Sequence, residues 1–441
     1  MSIRIIRAGE GLRDQDVAAL RDRLRDGGLV GGGQAADVPS AVREILADVR
    51  VRGDAALIDW QQRLDKVALT PTTLRVGPEQ IAAAKAQADP DFLALIGRAA
   101  DNVRRYQEAI RLSDPPAVSR GGRMMGLRYV PVDRVGVYVP GGRAAYPSTV
   151  LMTIVPAQVA GVRQVAMASP PTADGDVNPM VLALAGALGV SEVYRLGGAV
   201  AIAALAYGTE SVPGVDKIVG PGNAFVAEAK RQVLGAVGID SIAGPSEVLI
   251  VADASAPAAW VAADLLAQAE HDPGSAVLVT PSADLAEAVA AAIDQQLPAL
   301  DRAGAIGRAL AEYSAIVVVP DLAAACEVAN GFAPEHLQVI VAGADEAEVL
   351  GRIRHAGAVF VGPHTPVPLG DYYAGPSHVL PTGGTARFFG PLSSSDFLVA
   401  SSVIRYDASA LAADADDVID FATREGLTAH ARAVDIRRRE P

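Results

Sequence analysis

Residues 247–280 read EVLIVADASAPAAWVAADLLAQAEHDPGSAVLVT. An apolar, β-branched run through Ala252 stops at Asp253, and a second such run, AVLVT, closes the stretch. Between them lies an alanine-rich segment. Pro257 stands where a helix can open, and Asp272-Pro273-Gly274 stands where it has to stop. Strand, helix, strand in that order predicts a parallel pair joined by a helical crossover.

The same alternation extends both ways. Strand-like runs appear at RVGVYV (134–139), RQVAMA (163–168), KIVG (217–220), AIVVV (315–319), LQVIVA (337–342) and AVFVG (358–362). Alanine-rich segments separate most of them. The pattern predicts an α/β fold with two largely parallel sheets. Glycine and proline punctuate at GPGN (220–223) and AGPSE (243–247), the expected joints. The first 130 residues read mainly as helices: one from Leu12 to Leu24, one opening at Ser40, one from Asp89-Pro90 through Arg111. A helical tail is expected from Leu411 to Ala433.

Composition excludes several classes. The 441 residues are 50% hydrophobic and 20% charged, which requires a large aliphatic core and rules out a disordered chain. A net charge of −13 argues against nucleic acid and anionic membrane as partners. A single cysteine, Cys326, leaves no internal disulfide framework and no thiolate-rich metal site. The N-terminus shows no apolar signal segment, and the longest uncharged stretch is broken by prolines. A cytoplasmic setting is expected.

The chemistry gathers in the second half. All six histidines lie at or beyond position 271. Gln268 and His271 sit three apart at a helix end, on one face. An imidazole and an amide oxygen there suit a metal, and the same spacing equally suits a capped helix end. Glu335-His336 stands where a helical stretch meets a strand. At such a turn both side chains can reach one pocket and move protons near neutrality. The loop PLGDYYAGPSHVLPTGG carries Asp371 and His378, and Asp371 suits a further metal ligand. Glu425 and His430 lie in the tail, five apart and only roughly cofacial. No G-x-G-x-x-G follows a strand. Two other glycine turns do: YVPGGR, from Tyr138, and VGPGNAF, which contains Asn223 and feeds a helix. His355 and His364 read as structural.

Taken in order, GVYVPGG, GGAVAIAALAYGTESVP, VDKIVGPGNAFVAEAKRQV, IAGPSEVLI, LLAQAEHDP, PEHLQ, GDYYAGPSHVLPTGG and EGLTAHARAV resemble the L-histidinol dehydrogenase family. The resemblance implies oxidation of L-histidinol to L-histidine through histidinal, with two NAD+ reduced. It implies Zn2+ held by Gln268, His271, Asp371 and His430, and an acid–base pair of Glu335 and His336. It implies substrate contacts at Ser246, His378 and Glu425, alongside those ligands and His336, and NAD contacts at Tyr138 and Asn223. It implies a homodimer in which the tail histidine serves the neighbouring chain's site.

The corresponding fold is a pair of incomplete Rossmann-like domains with helical extensions at both ends. Residues 1–27 would form an N-terminal arm. Residues 28–130 with 244–382 would form the domain carrying most of the site. Residues 131–243 would form the NAD domain, and 383–441 a tail reaching the partner. The family commonly has glutamine in GGAQAIAAL, where this chain has Val200, so one polar NAD contact is expected to be lost, worth about 1 kcal/mol. A zinc-dependent hydrolase, or a dehydrogenase for another amino alcohol, is the alternative reading.

Overall fold

The computed structural model describes residues 3–27, 37–141, 146–271 and 274–438. Its strands are β1 Ile5–Arg7, β2 Val118–Arg120, β3 Arg123–Pro131, β4 Arg134–Tyr138, β5 Gln164–Ser169, β6 Glu192–Arg195 and β7 Lys217–Val219. They continue as β8 Gly238–Ile239, β9 Ser246–Ala252, β10 Gly274–Thr280, β11 Ala315–Val318, β12 His336–Ile340, β13 Ala358–Val361 and β14 Leu398–Tyr406.

The opening stretch is β9, the helix Ala258–Ala269 and β10. It sits inside a six-stranded parallel sheet ordered β1-β11-β10-β9-β12-β13. Val248, Ile250 and Ala252 face one cluster, with Leu265 and Val289 from covering helices. Leu249 and Val251 face another, beneath Val328 and Phe332. Both faces are covered, so Val248–Ala252 is apolar at every position and shows no polar alternation. Each fully buried Val, Leu or Ile contributes about 1.5–3 kcal/mol.

A five-stranded parallel sheet is ordered β6-β5-β4-β7-β8. The chain enters at its centre, adds β5 and β6 to one side, then returns to β7 on the other. Strand order therefore reverses between β4 and β7. Such a switch point opens a crevice at the carboxyl ends, the usual ligand site of open parallel sheets. The six-stranded sheet reverses likewise between β9 and β12. Residues 240–245 run from the carboxyl end of β8 to the amino end of β9, so these two edges are close along the chain.

Four expectations are corrected. The helices Val38–Arg52 and Asp54–Leu64 pack on the five-stranded sheet: Val42, Ile45, Leu57 and Trp60 share a core with Ala166, Ile202 and Ile218. Ile81 and Ile96 join the cluster on its other face. Residues 28–130 were grouped with 244–382, but the apolar stripes of these helices match the 131–243 unit instead. Within the N-terminal arm, β1 is an edge strand of the six-stranded sheet. The tail is not wholly helical, because β14 pairs antiparallel with β3, and β3 with β2, in a three-stranded sheet. The tail helix itself is two, Ala408–Arg424 and Thr428–Asp435, parted at Gly426 by a left-handed φ of 76°.

The expected N-terminal helices form at Gln15–Gly27, Val38–Arg52 and Pro90–Ile110. Asp37 and Asp89 cap the latter two by accepting from Ser40 and Asp91 backbone N–H groups. Among the described residues no helix is long and apolar enough to cross a membrane.

Candidate active site

The amino ends of β9 and β12 lie side by side, with His336 in register with Val248. This register brings Ser246 and Glu247 against Glu335 and His336. Ser246 Oγ donates to Glu335 Oε2 at 2.6 Å, and the Glu247 N–H donates to the same oxygen at 2.9 Å. Gln268 Nε2, at the end of its helix, donates to Ser246 Oγ at 2.8 Å. A relay Gln268–Ser246–Glu335 results. Using Nε2 as the donor turns the amide oxygen of Gln268 to the other side.

His336 is 3% exposed, and its Nδ1 lies 3.1 Å from the Glu247 carbonyl oxygen. A carbonyl can only accept, so Nδ1 carries the hydrogen and neutral His336 keeps its lone pair on Nε2. That nitrogen has no hydrogen-bond partner. Asp371 Oδ1 lies 3.6 Å from it, too far to bond. Glu335 Oε2 lies 3.5 Å from Nδ1. The two adjacent side chains thus lie against each other.

Asp371 comes from the short helix Val367–Tyr372. Its carbonyl oxygen lies 3.0 Å from His378 Nδ1, which folds the loop onto the site. His378 Nε2 lies 3.4 Å from Thr149 Oγ1 of the other sheet's unit. The loop therefore bridges the two units. His271, at the helix end after Gln268, is exposed.

The electrostatics are those of buried, opposed charges. Burial pulls the His336 imidazole down, but the Glu335 and Asp371 carboxylates outweigh it and lift the group to about 9. Burial raises Glu335. For Asp371 burial also acts upward, but the neighbouring His336 holds it below its ordinary value. Burial lowers His378.

Glu247 is a member of this cluster that sequence reasoning missed. Burial, then repulsion from Glu335, pushes its carboxyl up to about 7. Its Oε1 accepts from the N–H groups of Glu335 (3.3 Å) and Gly383 (2.9 Å). One residue thus holds both members of the pair, through backbone and side chain. The available signal was a glutamate opening an otherwise apolar strand.

The structure does not bring every expected residue here. Glu425 and His430 are exposed, and the helix bearing His430 has no buried residue. Among the described residues no three His, Cys, Asp or Glu side chains converge as a metal cluster. Of the expected ligands, Gln268, His271 and Asp371 offer oxygen, nitrogen and oxygen donors, types that zinc accepts.

Tyr138 and Asn223 lie apart from this cluster, at the carboxyl ends of β4 and β7. Tyr138 is buried, its hydroxyl accepts from the Gly198 N–H at 3.1 Å, and burial pushes it up to about 12. Asn223 Oδ1 caps the helix Ala224–Val233 through Phe225 and Val226, both at 3.1 Å. Val200 has no exposed surface and lies in the aliphatic core beside Leu205 and Leu46. A valine so placed completes packing and offers no surface to a cofactor.

His364 stacks on Trp260 at 5.3 Å, and the backbone of His355 is held by Asn330. A cavity of about 430 Å³ lined by residues 119–124 and 405–407 sits at the three-stranded sheet and shares no residue with the cluster.

A family model described as histidinol dehydrogenase matches residues 32–438. The chain belongs to the histidinol dehydrogenase family. It is 50% identical over 434 residues to a histidinol dehydrogenase of Rhodopirellula baltica, covering 96% of this chain and 94% of that protein. It is 50% identical over 406 residues to one of Heliobacterium mobile, covering 91% and 94%. The crystal structure of histidinol dehydrogenase from Elizabethkingia anophelis superposes with a TM-score of 0.90 at 31% identity, over 99% of this chain and 98% of that one. The histidinol dehydrogenase family is one of oxidoreductases of histidine biosynthesis, so the hydrolase alternative falls.

Proposed function

We propose that this chain oxidises L-histidinol to L-histidine through histidinal, with two NAD+ reduced, in a homodimer with shared sites. The observation that carries the reading is the buried His336 imidazole, held by its Nδ1–H with an unpartnered Nε2.

The neutral Nε2 takes the hydroxyl proton of histidinol as hydride leaves the carbinol carbon for the nicotinamide. The aldehyde then gains a water. Glu335 takes the proton of that water, and the relay through Ser246 to Gln268 holds its carboxylate in place. His336 returns its proton to the aldehyde oxygen as the water adds, then takes a hydroxyl proton of the hydrate as the second hydride leaves for a second NAD+, and the acid formed ionises to the carboxylate. Glu247 orients both groups through its main chain, so neither has to be ordered during reaction.

Gln268, His271 and Asp371 would hold a zinc ion together with His430 of a second chain. Bound there, zinc supplies an anchor for the imidazole and amine of the substrate. His378 and Glu425 flank that position as substrate contacts, with Glu425, like His430, provided across the dimer. The exposed tail helix with no burial of its own supports this arrangement. NAD+ would lie at the switch point between β4 and β7, against Tyr138 and Asn223. The cytoplasm is the expected compartment.

The test is E335Q against H336N, with histidinol or histidinal as substrate. E335Q is expected to retain the first hydride transfer and lose histidinal oxidation. H336N is expected to lose histidinol oxidation most. The opposite pattern would reverse the two roles.

A further inference from the structure

Lys230 and Asp240 form an ion pair whose side chains are only 2% and 4% exposed. Neither belongs to the acid–base cluster. Two charges this deeply buried add little net stability, because desolvation offsets their attraction. An apolar pair of similar volume would fill the space as well. What an apolar pair could not do is hold backbone polar groups.

This pair holds both polar groups of one residue. Asp240 Oδ2 accepts from the Gly220 N–H at 2.8 Å, and Lys230 Nζ donates to the Gly220 carbonyl oxygen at 3.0 Å. Asp240 Oδ1 bonds Lys230 and also accepts from the Ser241 N–H. Gly220 has a left-handed φ of 114°, and a Cβ there would collide with the carbonyl oxygen of Tyr138. The end of β7 is thus pressed onto the end of β4 at the switch point.

The three parts come from separate elements: Gly220 from the end of β7, Lys230 from the helix Ala224–Val233, and Asp240 from beyond β8. The glycine allows the approach, and the ion pair fixes it.

We propose that Lys230 and Asp240 are a positioning pair for the dinucleotide. They lock the turn from Gly220 to Asn223 in the one arrangement that presents it, with the end of β4, to the cofactor. The inference rests on the reading that NAD+ binds at this switch point. Neither side chain touches the cofactor; both act through Gly220.

The test uses the full-length dimer and two sets of variants. K230M/D240L replaces the pair by apolar side chains, and D240N keeps an acceptor for the Gly220 N–H while breaking the charge pair. The readouts are NAD+ affinity by titration calorimetry, KM for NAD+ and for histidinol, and Tm. K230M/D240L is expected to weaken NAD+ at least tenfold, with histidinol KM within about twofold of the parent. D240N is expected to shift the same way by less.

A folded K230M/D240L protein with parental NAD+ affinity overturns the proposal. If that variant does not fold, D240N decides: a selective rise in KM for NAD+ supports the proposal, while no rise, or equal rises for both substrates, overturns it. N223A run beside them separates the two claims. If N223A weakens NAD+ and the pair variants do not, the pair has no positioning role. If none of them alters NAD+ binding, the switch-point reading itself has failed.

Discussion

His336 must be neutral to accept a proton. Burial works toward that state, but Glu335 and Asp371 outweigh burial and keep the ring protonated up to about 9. Turnover limited by proton abstraction is therefore expected to rise with pH toward about 9. E335Q removes the largest upward influence, so its rise is expected at lower pH. An unshifted profile in E335Q would contradict this. The same charge sets a stability trend. His336 binds its proton more tightly when folded, so its contribution is complete below 6.5 and lost as pH climbs through about 9. Glu247, raised to about 7, disfavours folding progressively as pH rises from 4.5 toward that value. Tm is expected to fall on the alkaline side, and to fall less in H336N. Val200 gives a separate prediction: V200Q buries an amide in an aliphatic core, at a cost of roughly 1–3 kcal/mol. Calorimetry should show a lower Tm and no gain in NAD+ affinity. Tighter NAD+ binding at unchanged Tm would instead support the lost-contact reading.

At the scale of elements, only four residues separate the helix Ala258–Ala269 from β10. A Cβ on Gly274 would strike the carbonyl oxygens of Gln268 and His271. G274A is expected to push that helix end outward and weaken zinc retention, read by metal content after dialysis against a chelator. Full zinc retention at parental activity would contradict it. The strands were legible because runs such as Val248–Ala252 are buried on both faces. The helix start at Asp89-Pro90 was legible because capping is local chemistry, whereas the helix expected to open at Ser40 begins at Val38, behind the Asp37 cap. Glu335-His336 could be paired because adjacent residues at a turn converge whatever the rest of the fold does. Glu247 was not legible: its partners at Glu335 and Gly383 lie far along the chain, and only the strand register joins them. The ownership of the helices Val38–Arg52 and Asp54–Leu64 was equally hidden, since an apolar stripe records that a helix packs, not against which sheet.

For the whole molecule, the amino edge of one parallel sheet carries Glu335 and His336, the proposed acid–base pair. The carboxyl edge of the other carries the switch point, and residues 240–245 connect them. The loop containing Asp371 and His378 closes the arrangement by reaching Thr149. His430 and Glu425 stand outside it in one chain, which is the reason for proposing a shared dimer site. Mixing inactive H336A and H430A proteins under subunit exchange is expected to restore activity, because each hybrid dimer would contain one intact site. No recovery in demonstrated hybrids would place His430 in its own chain's site. The central claim is a four-electron oxidation at one pocket. Its most direct test is NADH formed per L-histidinol consumed, with zinc-loaded protein and limiting substrate. The account predicts two NADH per histidinol, lost on chelation and restored by zinc. One NADH with histidinal released, or none from folded and loaded protein with ample NAD+, would contradict it.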